Sequence, residues 1–186
     1  MAVAFPRKRF TVDEYYRMAA SGILHEDDRV ELIEGEIIEM SPIGKHHASC
    51  VKRLNVLLIR MLGQRAIIGV QDPLQLSNYS EPQPDITMLK FRDDYYAERH
   101  PTPEDTLLLI EVADTTLAYD RGVKLPMYAA TGVPEVWIVN LSDDVVEVYR
   151  QPGPNGYGET QLARRGDSLP LPGIGETLIR IDDVLG

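Results

Sequence analysis

Two carboxylates and one ammonium stand where side chains could do chemistry. Asp85 closes the proline-rich stretch Glu81-Pro82-Gln83-Pro84-Asp85, and Glu111 ends the apolar run Leu107-Leu108-Leu109-Ile110. Each therefore sits where a strand that reads as buried runs out. An unpaired buried charge costs on the order of several kcal/mol unless a cation or hydrogen bonds compensate it. Along the strand after Pro84, alternation puts Asp85, Thr87 and Leu89 on one face; along the next it groups Leu109, Glu111 and Ala113. If the two strands are neighbours, both carboxylates converge at one end of the sheet and offer the oxygen donors that a hard cation such as magnesium takes. The alternative is that each caps a loop or pairs with an arginine. Lys124 lies on the helix that follows, with Asp120 and Tyr128 four residues to either side on the same face. The Asp120 and Lys124 pair is then either a surface ion pair worth about 0.3 to 0.5 kcal/mol, or an ammonium reaching back to the two carboxylates. There it could orient an attacking water and stabilise charge developing on a phosphate.

The elements that must position these groups are legible from period and punctuation. Thr11-Val12-Asp13-Glu14 has the capping-box pattern, which predicts a short helix to Ala20 that ends at Gly22. Residues 29–33 and 36–40 read as two strands of a hairpin through Glu34-Gly35, where glycine supplies a positive φ. His47, Val51, Leu54, Leu58 and Met61 recur at spacings of four and three and form one helical stripe for packing on a sheet. Short strands follow at 66–70 and 74–76, then 85–89 and 106–112, the last apolar without alternation, as in a central strand covered on both faces. Residues 117–131 read as a helix closed by Gly132 with a kink at Pro126, whose ring presses on the carbonyl of Gly122. Strands at 134–139 and 145–149 come next. Residues 151–158 read as a Pro/Gly loop, and a strand near 160–163 and a tail at 178–185 complete the chain.

Strands alternating with helices give a mixed α/β class: a central mixed sheet flanked by helices in one domain spanning 1–186. With 186 residues the chain can bury a core without staples. Its single cysteine, Cys50, cannot form an internal bridge, and Met1 to Phe10 lacks the long apolar stretch of a signal peptide. No stretch approaches the roughly 20 apolar residues of a membrane span. These features lead us to expect a cytoplasmic protein with no membrane partner. The net charge of −10 argues against a protein that coats nucleic acid by bulk attraction, although a cleft can differ locally from the surface around it.

Several runs in this order resemble one known family. They are Arg29-Val30-Glu31-Leu32-Ile33-Glu34-Gly35-Glu36, Met40-Ser41-Pro42-Ile43-Gly44 followed by His47, Pro84-Asp85, Glu111-Val112, Tyr119 to Ala129, and Gly132-Val133-Pro134-Glu135-Val136-Trp137-Ile138-Val139. Together they look like the Uma-two family of restriction-endonuclease-like proteins, and the resemblance spans roughly Phe10 to Tyr149. It implies a restriction-endonuclease-like core of the PD-(D/E)XK nuclease superfamily, with a magnesium-dependent site, manganese as a substitute, that hydrolyses phosphodiesters. By that resemblance Asp85 and Glu111 are the catalytic and metal-binding acids. The motif's lysine would fall two residues after Glu111, where this chain has Ala113; the matching lysine is Lys124, displaced to the next helix. Asp120 enters as an auxiliary residue, and Glu31 as an auxiliary ligand or supporting group, an exposed hairpin glutamate being the other reading. His47 is either a hydrogen-bonded core histidine or a residue near the site, and His46 is expected to be solvated.

The implied function is a metal-dependent endonuclease acting on nucleic acid, expected to be DNA, and working as a homodimer because two related sites most simply cut two strands. The alternative is an inactive nucleic-acid-binding or regulatory protein on the same fold, a reading that Ala113 and the acidic balance favour. A third reading has the acidic residues merely solvating the domain, with no metal dependence. Arg7-Lys8-Arg9, Lys45, Lys52 and Arg53 are the candidate phosphate contacts, and with so few the expected affinity is modest and strongly salt-dependent.

Overall fold

In the computed structural model, which describes residues 7–25 and 27–186, the capping box at Thr11 forms as its sequence requires. The Thr11 hydroxyl accepts from the Glu14 N–H, and the Glu14 carboxylate accepts from the Thr11 N–H. This opens α1 (Val12–Ala20). The hairpin of β1 (Val30–Ile33) and β2 (Glu36–Glu39) turns at Glu34 and Gly35, both in the left-handed region with φ of 50° and 82°. A Cβ on Gly35 would lie 2.6 Å from that of Arg9, so the position needs glycine for space as well as for its backbone.

A six-stranded sheet carries the core, in the order β3 (Ala66–Gly69), β4 (Ile86–Lys90), β5 (Thr106–Ala113), β6 (Glu135–Asn140), β7 (Val145–Gly153) and β8 (Gly156–Ala163). Neighbours are antiparallel except β5 and β6, which run parallel. A parallel pair needs a crossover, and here it is helical: α3 (Leu117–Tyr119), a π-helical turn (Asp120–Lys124) and α4 (Leu125–Ala130). As expected for a central strand, β5 is covered on both faces. Leu108, Ile110 and Val112 join the cluster under α2 (Lys45–Leu62), where Cys50, Val51, Leu54, Leu58 and Leu62 are buried. Leu109 and Ala113 join the opposite cluster with Ile33, Leu74, Met127 and Tyr128. The hairpin and α4 thus share one face of the sheet. The short strands β9 (Ser168–Pro170) and β10 (Leu178–Arg180) pair with each other, and α5 (Ile181–Leu185) packs beside α2.

Three expectations are corrected. Residues 74–76 form no strand. Leu74 N–H donates to Pro82 O, Gln75 N–H to Pro101 O and Leu76 N–H to Ser80 O, so successive bonds alternate between two stretches of chain. Facing prolines at 82 and 84 have no N–H to return, so a regular ladder cannot form. Residues 151–158 are not a loop but the end of a hairpin, with Pro152 paired to Tyr157 and Gly153 to Gly156. Proline is tolerated there because beyond Arg150, which faces Glu135, β7 has lost β6 as a neighbour. The helix over 117–131 is not continuous α-helix around Pro126; it widens ahead of it. Pro126 has no N–H for Gly122, and the Leu125 N–H reaches back to Asp120 O, closing the longer π-type ring.

Candidate active site

Asp85 stands one step beyond the Ile86 and Ile110 pair of the β4–β5 ladder, which brings it beside Glu111. The contact is direct: the Asp85 N–H donates to Glu111 Oε2 at 3.3 Å. Both residues are buried, at 8% and 4% exposure, so their charges must be met by the protein or by a ligand. Asp85 Oδ2 accepts from the Val112 N–H and lies 2.9 Å from His47 Nε2, and its Oδ1 accepts from Gln71 Nε2 at 3.0 Å. Burial alone would raise the Asp85 carboxyl, but these donors, His47 foremost, hold it below the ordinary aspartate value. The same hydrogen bond raises the His47 imidazole above its usual range.

Glu111 meets a different set of groups. Lys124 Nζ lies 3.3 Å from its Oε1, and the Tyr128 hydroxyl donates to that oxygen at 2.6 Å. Lys124 Nζ also lies 3.2 Å from Glu31 Oε2, which in turn accepts from the Gln83 N–H. The ammonium is therefore clamped between the hairpin and β5. Burial by itself would favour neutral Lys124, but Glu111, Glu31 and Asp120 together raise its pKa and keep it charged. Glu111, fully enclosed, is pushed up to about 8 by burial, against the pull of Lys124 and with Asp85 and Asp120 adding to the rise. Asp120 is also raised by burial, and its carboxylate accepts from the Thr116 hydroxyl at 2.6 Å.

These side chains line one cleft of about 410 Å³, bordered also by residues 40–44 and 114–116. Sequence reasoning placed Asp85, Glu111, Lys124, Glu31, His47 and Asp120 as candidates, and the fold brings all six to this cleft. Glu31 is buried at 3% exposure rather than standing out from the hairpin, because Lys124 is folded in beneath it. His47 is at once on the buried side of α2 and bonded to Asp85, so the two readings of it are not exclusive. His46 is exposed, as expected. Lys124 differs in one respect: of the two strand-end carboxylates it reaches only Glu111, and its second partner is Glu31, not Asp85. Nor is Asp120–Lys124 a surface pair, since both residues are buried. Gln71 and the Glu111 contact of Tyr128 were missed. Tyr128 carried a signal, its place on the Lys124 face, whereas Gln71 lies in a stretch with no periodicity to point it inward.

Acidic side chains dominate the cleft: Glu31, Glu39, Asp85, Glu111, Asp114 and Asp120 face only Arg29 and Lys124 as fixed cations. Such a wall favours a hard cation in charge and in donor chemistry. Among the described residues no three His, Cys, Asp or Glu side chains are grouped closely enough to form a ligand set. Any ion the cleft takes would therefore not be held in a closed protein cage.

Comparison with known proteins bears on the family and the fold. The family model Uma2, described as "Putative restriction endonuclease", matches residues 12–180. Among solved structures, a protein of Anabaena variabilis described as "a putative nuclease belonging to DUF820" superposes with a TM-score of 0.71 at 18% identity, covering 95% of this chain and 97% of its own. At that identity the likeness is one of fold. No curated protein matches the sequence.

Proposed function

The chain belongs to the Uma2 family, and on that premise we propose that it is a magnesium-dependent endonuclease that hydrolyses phosphodiester bonds in DNA. The observation that carries the reading is the juxtaposition of Asp85 and Glu111 at the ends of adjacent strands with the Lys124 ammonium on Glu111. Asp85 and Glu111 would hold the ion, magnesium or manganese in its place, which when bound supplies an activated water and neutralises phosphate charge. Asp85 is prepared for this by its donors: His47, Gln71 and the Val112 N–H fix the carboxylate and keep it ionised. Lys124, held charged by Glu31 and Glu111, is the group that meets negative charge building on the phosphate. Tyr128 fixes Glu111 Oε1 from the other side. Glu31 and Asp120 act through Lys124, setting its position and its charge.

The alternative, a nucleic-acid-binding or regulatory protein without turnover, draws on two specific observations. Ala113 stands where the motif lysine is expected, and Lys124 is shared between two carboxylates. One experiment separates the readings. Supercoiled plasmid, single-stranded DNA and RNA are each incubated with the protein in magnesium, manganese or EDTA. The nuclease reading expects plasmid nicking or linearisation with either ion, none in EDTA, and a loss of about a hundredfold or more in Asp85→Ala, the scale of removing a group that stabilises the transition state. DNA bound but uncut supports the alternative, and cleavage that persists in Asp85→Ala overturns the site.

A further inference from the structure

Gln71 is held in a backbone conformation that does not suit it. Its φ is 56°, in the left-handed region that glycine and asparagine enter far more readily than a long side chain does. The surroundings fix it there: its N–H is shared between Pro84 O at 3.1 Å and Asp85 O at 3.2 Å. These bonds tie the end of β3 to the turn that presents Asp85. The side chain then comes back to the same residue, with Nε2 donating to Asp85 Oδ1 at 3.0 Å. Strained non-glycine residues cluster where a site uses the side chain. Here glycine would meet the backbone requirement better, so the amide is the part of Gln71 that the site uses.

The amide completes a division of labour around one carboxylate. Asp85 Oδ2 is engaged by His47 and by the Val112 N–H, and among the described residues Gln71 is the donor to Oδ1. Two donors on one oxygen leave the carboxylate free to pivot about that oxygen; a third, on the other oxygen, fixes its plane. Gln71 is half-buried and lines the cleft, so it does this at the surface where a ligand would enter. Among the described residues the Gln71 side chain bonds through Nε2, and no donor reaches its Oε1.

We propose that Gln71 is a positioning residue for Asp85, fixing the carboxylate plane for the cation and leaving its own Oε1 to accept a hydrogen bond from a water of that cation. The role rests on the metal-dependent nuclease reading above. It leads to an unusual pair of expectations: removing the side chain relieves strain while disabling the site.

Four readouts on Gln71→Gly and Gln71→Asn test it. In Gln71→Gly the thermal midpoint should stay level or rise, because glycine suits the left-handed backbone. Calorimetric titration with manganese should show about tenfold weaker binding in both variants, the scale on which outer-shell partners of metal ligands act. Plasmid cleavage should lose kcat by at least that factor with KM for DNA unchanged. Amide exchange at Val112, whose N–H bonds to Asp85, should quicken severalfold without any metal present. Wild-type manganese affinity in Gln71→Gly, or a fall in affinity matched by a fall in thermal midpoint, overturns the proposal. A wild-type protein that binds manganese and needs Gln71 to do so, yet cuts nothing, overturns the nuclease reading and leaves the positioning role standing. If the wild type binds no manganese, unchanged Val112 exchange in Gln71→Gly overturns the role on its own.

Discussion

Lys124 is the residue on which structure and chemistry are hardest to separate. Its ammonium lies between two buried carboxyl groups, Glu31 and Glu111. Removing one partner of a buried ion pair costs about 3 to 5 kcal/mol, because the remaining charge is stranded. Lys124→Ala should therefore unfold at markedly lower urea, and its loss of activity alone would say little about catalysis. Adding Glu31→Gln should recover part of that stability by removing one stranded charge. A double-mutant cycle on these two positions should show coupling on the order of 1 kcal/mol or more, and additivity within about 0.3 to 0.5 kcal/mol would dissolve the clamp. In the sequence only half of this was legible. Spacing placed Asp120, Lys124 and Tyr128 on one helical face, but spacing carries no information on whether that face is covered. Glu31 covers it, and the hairpin that brings Glu31 there is distant in sequence. The left-handed backbone of Gln71 was illegible for a related reason: it is imposed by Pro84 and Asp85, which lie across the turn.

At the scale of elements, the π-helical turn between α3 and α4 decides where Lys124 points. Proline at 126 removes the N–H that a regular helix would give to the Gly122 carbonyl, and the turn widens so that the Leu125 N–H bonds to Asp120 instead. Lys124 is the last residue of this widened turn. Pro126→Ala restores the missing N–H and allows the segment to close as an ordinary α-helix, turning Lys124 away from Glu111. We expect DNA cleavage to fall by on the order of tenfold to a hundredfold, as displacements of about 1 Å in catalytic groups do, with stability shifted by about 1 kcal/mol or less. Cleavage at the wild-type rate would show that Lys124 does not depend on the turn. The sequence announced the proline and the glycine, and with them a disturbance, but not its form, since a kink and a widened turn answer the same steric problem. The misread of 151–158 has the opposite cause. Its proline and glycines read as a loop by composition, whereas pairing across the β7–β8 hairpin made it strand. The central strand β5 was the best read, because the apolar run Leu107-Leu108-Leu109-Ile110 marks it as covered on both faces without help from a distant residue.

Across the whole molecule, the net charge works against the proposed substrate. The net charge is −10, and the cleft itself has six acids against two fixed bases. Of the basic groups that the sequence offered for phosphate contact, four are already engaged. Arg7 pairs with Glu36, Lys8 with Glu14, Arg9 bonds to Glu34 O and stacks over Tyr79, and Arg53 donates to Val184 O and Leu185 O at the end of α5. Lys45 and Lys52 are exposed and carry no ion pair among the described residues. Six free cations would release counterions to give a slope of log affinity against log salt of about −5, at about −0.9 for each phosphate neutralised. With Lys45 and Lys52 alone the slope should be about −2, shallower than the strong salt dependence that the sequence suggested. Fluorescence anisotropy of labelled duplex DNA with the Asp85→Ala protein, from low to moderate salt in EDTA, measures this without cleavage or bound metal. The same titration repeated in magnesium should not weaken binding more than an equal ionic strength of monovalent salt in wild-type protein held at a non-cleaving temperature, because there the ion joins the cleft that repels the phosphate. A slope of −4 or steeper in EDTA would mean that the surface pairs of Arg7, Lys8 and Arg9 open on binding, and that the DNA path runs over the hairpin and α1, where those pairs lie.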